Sequence, residues 1–324
     1  MGPQGPEGPP WPGVNVDPND GDNVFYNISD IIPYLKATPG GYKPDNAIPI
    51  VLKVYLGNMA MPNSGWQRLL ESIEEANKLV TLDLSDCGMI GAEFDPDYTI
   101  HIGKDKIVSL VLPDVAVGIK AGSDIDTKTF KHFSNLKTCA GGNIRQIGSF
   151  AFSNCPLLES VEFPVVQSID ESAFGDCILL ESVEFPKAST IGERAFYYCQ
   201  MLKTVKFPEV RYIERNIFSG CYALESVELP MAQYIGNYVF ANTGDTALVI
   251  SFGNNAPEVG LYIFRDVNTQ KNVTVKVPVG AVGYDTSPTD ASTFNWGNAF
   301  RGLSSNGGGT VNENINLVIE TTSP

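Results

Sequence analysis

Two neighbouring stretches decide the fold: residues 147–164 read IGSFAFSNCPLLESVEFP, and residues 169–186 read IDESAFGDCILLESVEFP. Ile147, Ile169, Ile191, Ile213 and Ile235 recur at an unvarying spacing of 22, the signature of a solenoid. Five positions after each stands Phe152, Phe174, Phe196, Phe218 or Phe240. Eight after it stands Cys155, Cys177, Cys199 or Cys221, until Thr243 breaks the series. The unit reads I-x-x-x-A-F-x-x-C-x-x-L-x-x-V-x-F-P.

The end of L-x-x-V-x-F alternates apolar and polar residues, as a short strand with one buried face does, and the following Pro stops it. A-F-x-x-C is apolar on one side and too short for a full helix, so a turn or 3-10 piece returns along the other wall. Stacked coils lay their strands about 4.8 Å apart in a parallel sheet. No coil buries its Phe and Leu alone, so the array stands or falls together.

The period continues outward in worn form. Ile125, Phe130 and Leu136 sit 22 before Ile147, Phe152 and Leu158, with Cys139 and Gly141 in the Val and Phe slots. Further upstream, Leu110-Val111-Leu112-Pro113 repeats the strand ending, and residues 79–87 have the form L-x-x-L-x-L-x-x-C. Downstream, Val259, Phe264 and Val275-Lys276-Val277-Pro278 form a further coil with about two inserted residues.

The flanks read as caps. Ile28, Ile31, Ile32 and Leu35 follow helical spacing if Pro33 lies in the first turn. Residues 50–56 are a strand candidate, and Trp66, Leu69, Leu70, Ile73 and Ala76 make a helix face after Asn63-Ser64. Ile315, Leu317 and Ile319 alternate in a final strand. The expected organisation is a Gly/Pro-rich tether at 1–23, an N-terminal cap at 24–78 with its amphipathic helix, a solenoid at 79–278 and a C-terminal cap at 279–324.

The chain has 324 residues, of which 43% are hydrophobic, enough for a large core. Its net charge of −15 opposes phosphate backbones and anionic lipid heads, and no local basic patch offsets it, so nucleic acid is not expected as a partner. Residues 48–56, the longest apolar run, contain Pro49 and Lys53 and fall short of a membrane span. The first residues, MGPQGPEGPPWPG, lack the charged and apolar regions of a signal peptide and read as a stiff tether with too few Gly triplets for a triple helix.

The repeat resembles the BspA-like, Treponema-type leucine-rich repeat of surface proteins of anaerobic bacteria. The likeness covers residues 79–278, strongest from 125 to 240. The entry Asn77-Lys78-Leu79-Val80-Thr81-Leu82-Asp83-Leu84-Ser85 matches the family, and so does the exit from Val277-Pro278 through Tyr284, Trp296 and Phe300, with a longer insert. The resemblance implies an α/β leucine-rich-repeat solenoid with parallel strands on one face and turns or short 3-10 pieces on the other. It also implies a bacterial cell-surface or outer-membrane lipoprotein, otherwise a secreted protein. Members often carry a lipidated Cys before a Gly-rich tether; the start here is similar to the tether without that Cys. A membrane contact would then run only through an N-terminal lipid anchor.

The repeat-slot cysteines Cys155, Cys177, Cys199 and Cys221 are expected to be buried thiols, while Cys87 and Cys139 lie outside that slot and carry no assignment. Ladder neighbours point the same way and lack the opposed Cβ vectors of a disulfide, and their interval fits no zinc module. His101 and His132 have no Cys or carboxylate at triad or ligand spacing, and the run from Asn15 to Tyr26 fails as a calcium loop at its sixth and twelfth positions. No catalytic residue, metal or cofactor is therefore expected.

What remains is what the repeat leaves free to vary. The slot between Val and Phe holds Glu162, Glu184, Lys206 and Glu228, and the slot after Leu holds Glu159, Glu181, Lys203 and Glu225. These columns read either as charge pairing or as an acidic face for a basic partner. Tyr212 and Tyr234 occupy a slot that earlier holds Ser168 and Thr190, and Tyr197, Tyr198, Tyr222 and Tyr238 come from the same coils. Packing does not require these replacements, and Tyr is favoured at interfaces. The expected site is therefore Tyr197, Tyr198, Tyr212, Tyr222, Tyr234 and Tyr238 with Lys203 and Lys206. The expected function is non-enzymatic recognition or adhesion toward a protein or glycan. The alternative is a surface carbohydrate-capture component of a nutrient-uptake system.

Overall fold

The computed structural model describes residues 23–96, 102–124, 129–244, 246–267, 271–284 and 315–322. The V-x-F segments build one wall of parallel strands, in which Ser182–Glu184, Thr204–Lys206 and Ser226–Leu229 pair with Val183, Val205 and Val227 in register. The wall extends upstream through Ser160–Glu162, Thr138–Ala140, Ile107–Val111 and Val80–Asp83, and downstream through Leu248–Phe252, Lys271–Pro278 and Ile315–Thr322. It is divided into two six-stranded sheets between Ser160–Glu162 and Ser182–Glu184. There Glu159 and Glu162 meet Glu181 and Glu184, so both charge columns set like against like at the gap.

A second wall, not anticipated from the sequence, is a ladder of eight two-residue strands from Glu93–Phe94 to Glu258–Val259, most of them ending on the repeat Ile. Hydrogen bonds to the preceding coil hold it: Asp170 N donates to Ile147 O at 2.9 Å and Gly192 N to Ile169 O at 2.7 Å. The coils pass so closely here that a Cβ on Gly192 would lie 2.6 Å from the backbone nitrogen of Glu171. Alternation cannot announce a two-residue strand, because one inward residue is its whole pattern.

The A-F-x-x-C segments are turns, and they form a third, ordered edge. Each coil has two left-handed positions. The first holds Phe150, Ser172, Arg194, Asn216, Tyr238 and Tyr262; the second holds His132, Asn154, Asp176, Tyr198, Gly220, Asn242 and Asp266. All are at positive φ, which is free of steric cost only for the glycine. The reversals aim backbone N–H groups at the next coil: Phe150 N reaches Glu171 O at 2.9 Å, Phe152 N reaches Ala173 O at 2.8 Å, and Asn154 N reaches Gly175 O. Turn backbone that would otherwise need water is thus paired coil to coil.

Between the walls runs a column of rings: Phe94, Phe130, Phe152, Phe174, Phe196, Phe218, Phe240 and Phe264 stack in order, with centroids 4.2 to 6.1 Å apart. Phe264 shows that the downstream coil with two inserted residues is a true rung. Cys155, Cys177, Cys199 and Cys221 are buried thiols beside the column, outside any disulfide. Their sulfurs do more than fill space: Cys177 Sγ donates to Phe152 O at 3.1 Å and Cys199 Sγ to Phe174 O at 3.1 Å, each one coil back. Thr243, which ends the series, donates instead to Phe240 O of its own coil at 2.8 Å.

The N-terminal segment contributes two helices packed on each other, the second of which reaches this column. Helix α1 (Ile31–Ala37) carries Pro33 in its first turn, and α2 (Gly65–Ala76) begins on Ser64, whose hydroxyl accepts from Gln67 N at 3.1 Å. Trp66 of α2 meets Phe94 edge-on at 6.0 Å and so closes the column. The strand expected at 50–56 is displaced to Ile48–Leu52. Past the strand the chain turns at Gly57, at φ +72°, where Leu56 O accepts from Gly65 N at 2.9 Å. Ile48–Leu52 pairs with Val80–Asp83, so the sheet runs from the cap into the array without a break at residue 79. The tether as far as residue 22, His101, Ile125, Trp296 and Phe300 lie outside the described residues.

Candidate functional site

The eight candidate residues fall on three parts of the coil. Lys203 and Lys206 lie on the outer face of the long-strand wall, where Lys203 pairs with Glu181 at 3.2 Å and Lys206 with Glu184 at 3.5 Å. Lys137 serves Glu159 in the same way at 2.9 Å. These pairs follow the strand register, so charge pairing accounts for the basic rung without a ligand.

Tyr212 and Tyr234 lie on the short-strand wall, partnered in register with Ile213 and Ile235 turned into the core. Tyr212 is 58% exposed, a large share for an aromatic ring on a sheet. Thus the lysines and this pair face away from opposite sides of one core and cannot meet a small ligand together.

The remaining tyrosines share the turn edge. Tyr197 and Tyr198 approach to 4.6 Å between centroids, and Tyr198 meets Tyr222 at 6.0 Å with the planes 80° apart. The neighbouring Tyr198 side chain, ahead of burial, raises the Tyr222 pKa; burial is the first cause of the rise at Tyr197. Further along, Tyr238 stacks on Tyr262 at 5.4 Å and 17°, with the Arg265 guanidinium 5.6 Å and 5.8 Å from the two ring centres. Tyr262 and Arg265 escape a search at spacing 22 because the two inserted residues put Tyr262 24 after Tyr238.

A family model described as the BspA type leucine rich repeat region matches residues 123–245 in six copies. This segment is a BspA-type leucine-rich repeat region. Among solved structures, the chain is similar to a leucine-rich repeat protein from Bacteroides ovatus, at 22% identity over 53% of this chain and 56% of that one, with a TM-score of 0.38. It is also similar to the leucine-rich repeat protein of T. pallidum, at 23% identity over 42% and 76% with a TM-score of 0.33. A third is a leucine rich cell surface protein from Faecalibacterium prausnitzii, at 16% identity over 85% and 79% with a TM-score of 0.31. The chain spans little more than half the length of the first of these. No curated protein is matched.

Within the BspA-type array the chemistry of the thiols is quiet. Burial pushes the Cys139, Cys199 and Cys221 thiols well up, and that of Cys87, outside the repeat slot, to about 11. Such thiols are poor nucleophiles at neutral pH. Cys139 stands in the Val slot, between Leu110 and Val161 in the sheet. His132 occupies the second left-handed slot, aligned with Asn154. Among the described residues no group of three or more His, Cys, Asp or Glu is placed to hold a metal ion, and no helix is long and apolar enough to cross a membrane.

Proposed function

We propose that the chain is a non-enzymatic recognition or adhesion module that presents the outer surface of its solenoid to a protein or glycan at the bacterial cell surface, as a lipoprotein or in secreted form. The observation that carries the reading is a contrast within one array. The inward Ile, Phe, Cys and Val positions hold from coil to coil, while Ser and Thr of the short-strand wall give way to Tyr212, at 58% exposure, and Tyr234. Repeat scaffolds specialise in this way, by changing exposed positions over a fixed core. The BspA-type repeat supports a surface interaction module.

The test is a binding screen of the full chain against extracellular host proteins and glycans, followed by Tyr212→Ser with Tyr234→Thr, residues that the same slot already accommodates. The double variant should keep its melting temperature and lose on the order of 1 to 3 kcal/mol of affinity for a ligand anchored on this wall. Unchanged affinity would return these rings to the role of cladding. A second reading, carbohydrate capture for nutrient uptake, draws support from the two groups of tyrosines on the turn edge.

A further inference from the structure

The turn edge supplies an internal control for what packing needs. In its second left-handed slot stand Asn154, Asp176, Gly220, Asn242 and Asp266, the residue types that tolerate positive φ, and His132. Tyr198 departs from this set at φ 56°, in a conformation that a bulky aromatic residue adopts against its own preference. The neighbouring coil makes room for it: a Cβ on Gly220 would lie 2.6 Å from the Tyr198 ring. The ring is therefore laid along the surface over a glycine, where Tyr197 and Tyr222 flank it.

In the next coil Asn242 and Gly244 follow Tyr238 within one turn, and the coil after that raises Tyr262 and Arg265 beside Tyr238. With coils about 4.8 Å apart, the coils of Tyr222 and Tyr262 lie roughly two rungs, about 10 Å, apart on either side of Asn242, and Tyr238 stands beside Asn242 on its own coil. Rings with phenol hydroxyls on both sides, an amide at the centre and a guanidinium at one wall suit a flat ligand with apolar C–H faces and hydroxyl edges. The strip is one turn deep, too narrow for the roughly 800 Å² a protein partner covers on each side. The net charge of −15 opposes a polyanion, and Arg265 is already paired with Asp266 at 3.5 Å.

We propose that the turn edge between Tyr198–Tyr222 and Tyr238–Tyr262–Arg265 binds a neutral glycan, with a sugar ring seated over Asn242. The inference rests on the recognition reading in taking the solenoid surface as a binding surface, and adds to the wall of Tyr212 and Tyr234 a separate glycan site on the turn edge.

The experiment applies the full chain to an array of neutral hexose and N-acetylhexosamine oligosaccharides, beside sialylated and sulfated glycans and a panel of extracellular proteins. Hits are then titrated against Tyr198→Asn, which copies Asn154 and Asn242, and against Tyr212→Ser with Tyr234→Thr. Neutral oligosaccharides should bind; Tyr198→Asn should weaken them at least tenfold with the melting temperature unchanged or raised, and the wall variant should bind them normally. Should Tyr198→Asn fold poorly, Tyr238→Ser, which copies Ser172, provides the same readout. If neutral glycans fail to bind, or bind equally to the edge variants, the glycan site is refuted. A protein ligand lost in the wall variant would in that case leave the recognition reading standing. Silence across glycans and proteins alike would overturn both.

Discussion

Cys199 shows how much one repeated residue does. It is fully buried, donates to the Phe174 carbonyl one coil back, and has its thiol pKa raised chiefly by burial. The repeat thiols should therefore resist labelling in the native state and react only with denaturant; rapid native labelling of all four would contradict their placement. The same burial sets a pH dependence. Below about pH 8.5 the Cys199 and Cys221 thiols, both raised by burial, are protonated folded and unfolded, so their contribution is fully present. Above it the unfolded chain loses protons that the fold retains, and stability falls by about 1.4 kcal/mol per pH unit for each such thiol. Urea titrations from pH 7 to 10 should show this decline, and Cys199→Ala should shallow it by one proton's worth. Tyr198 is the opposite kind of residue. Its replacement by Asn relieves left-handed strain on the order of 1 kcal/mol, which offsets the packing that the ring provides against Tyr197 and Tyr222. Tyr198→Asn should accordingly be as stable as the parent or more so, as thermal melts would show.

At the scale of elements, the strands and their charges answer to register. Lys203 and Lys206 sit opposite Glu181 and Glu184 and pair with them, whereas the wall parts between Ser160–Glu162 and Ser182–Glu184, where Glu faces Glu in both columns. Glu162→Lys would place opposite charges across the gap and should raise stability by about 0.3 to 1 kcal/mol at low salt, fading at high salt. A fall in the urea midpoint would show that something other than charge parts the strands. The 22-residue spacing of Ile, Phe and Cys made the coils, the long-strand wall and the buried thiols readable, since each is a core position with a fixed chemical demand. Other features lacked a signature. The short-strand wall turns only one residue per coil inward. The left-handed slots tolerate Phe, Arg and Tyr as well as Asn, so composition does not mark them. Grouping the tyrosines by coil also joined residues that the cross-section separates: Tyr212 belongs to a wall and Tyr198 to the turn edge, although they are only 14 positions apart.

For the molecule as a whole, the ring column unites what the long-strand wall divides. Phe152 and Phe174 stack at 5.1 Å and 2° across the same coils where that wall parts, and the short-strand wall runs through without interruption. At the N-terminal end Trp66 seals the column against Phe94. Removing residues 24–78 should thus expose the Val80–Asp83 edge and Phe94, and drive association visible by light scattering; a truncated chain that stayed monomeric and equally stable would show that these residues are not a cap. The most direct measurement follows urea unfolding by two probes in a Trp11→Phe, Trp296→Phe background. Trp66 fluorescence then reports the cap and far-UV circular dichroism reports the coils. One continuous scaffold predicts a shared midpoint and slope for both probes, and a Trp66 transition clearly separated from that of the coils would contradict it.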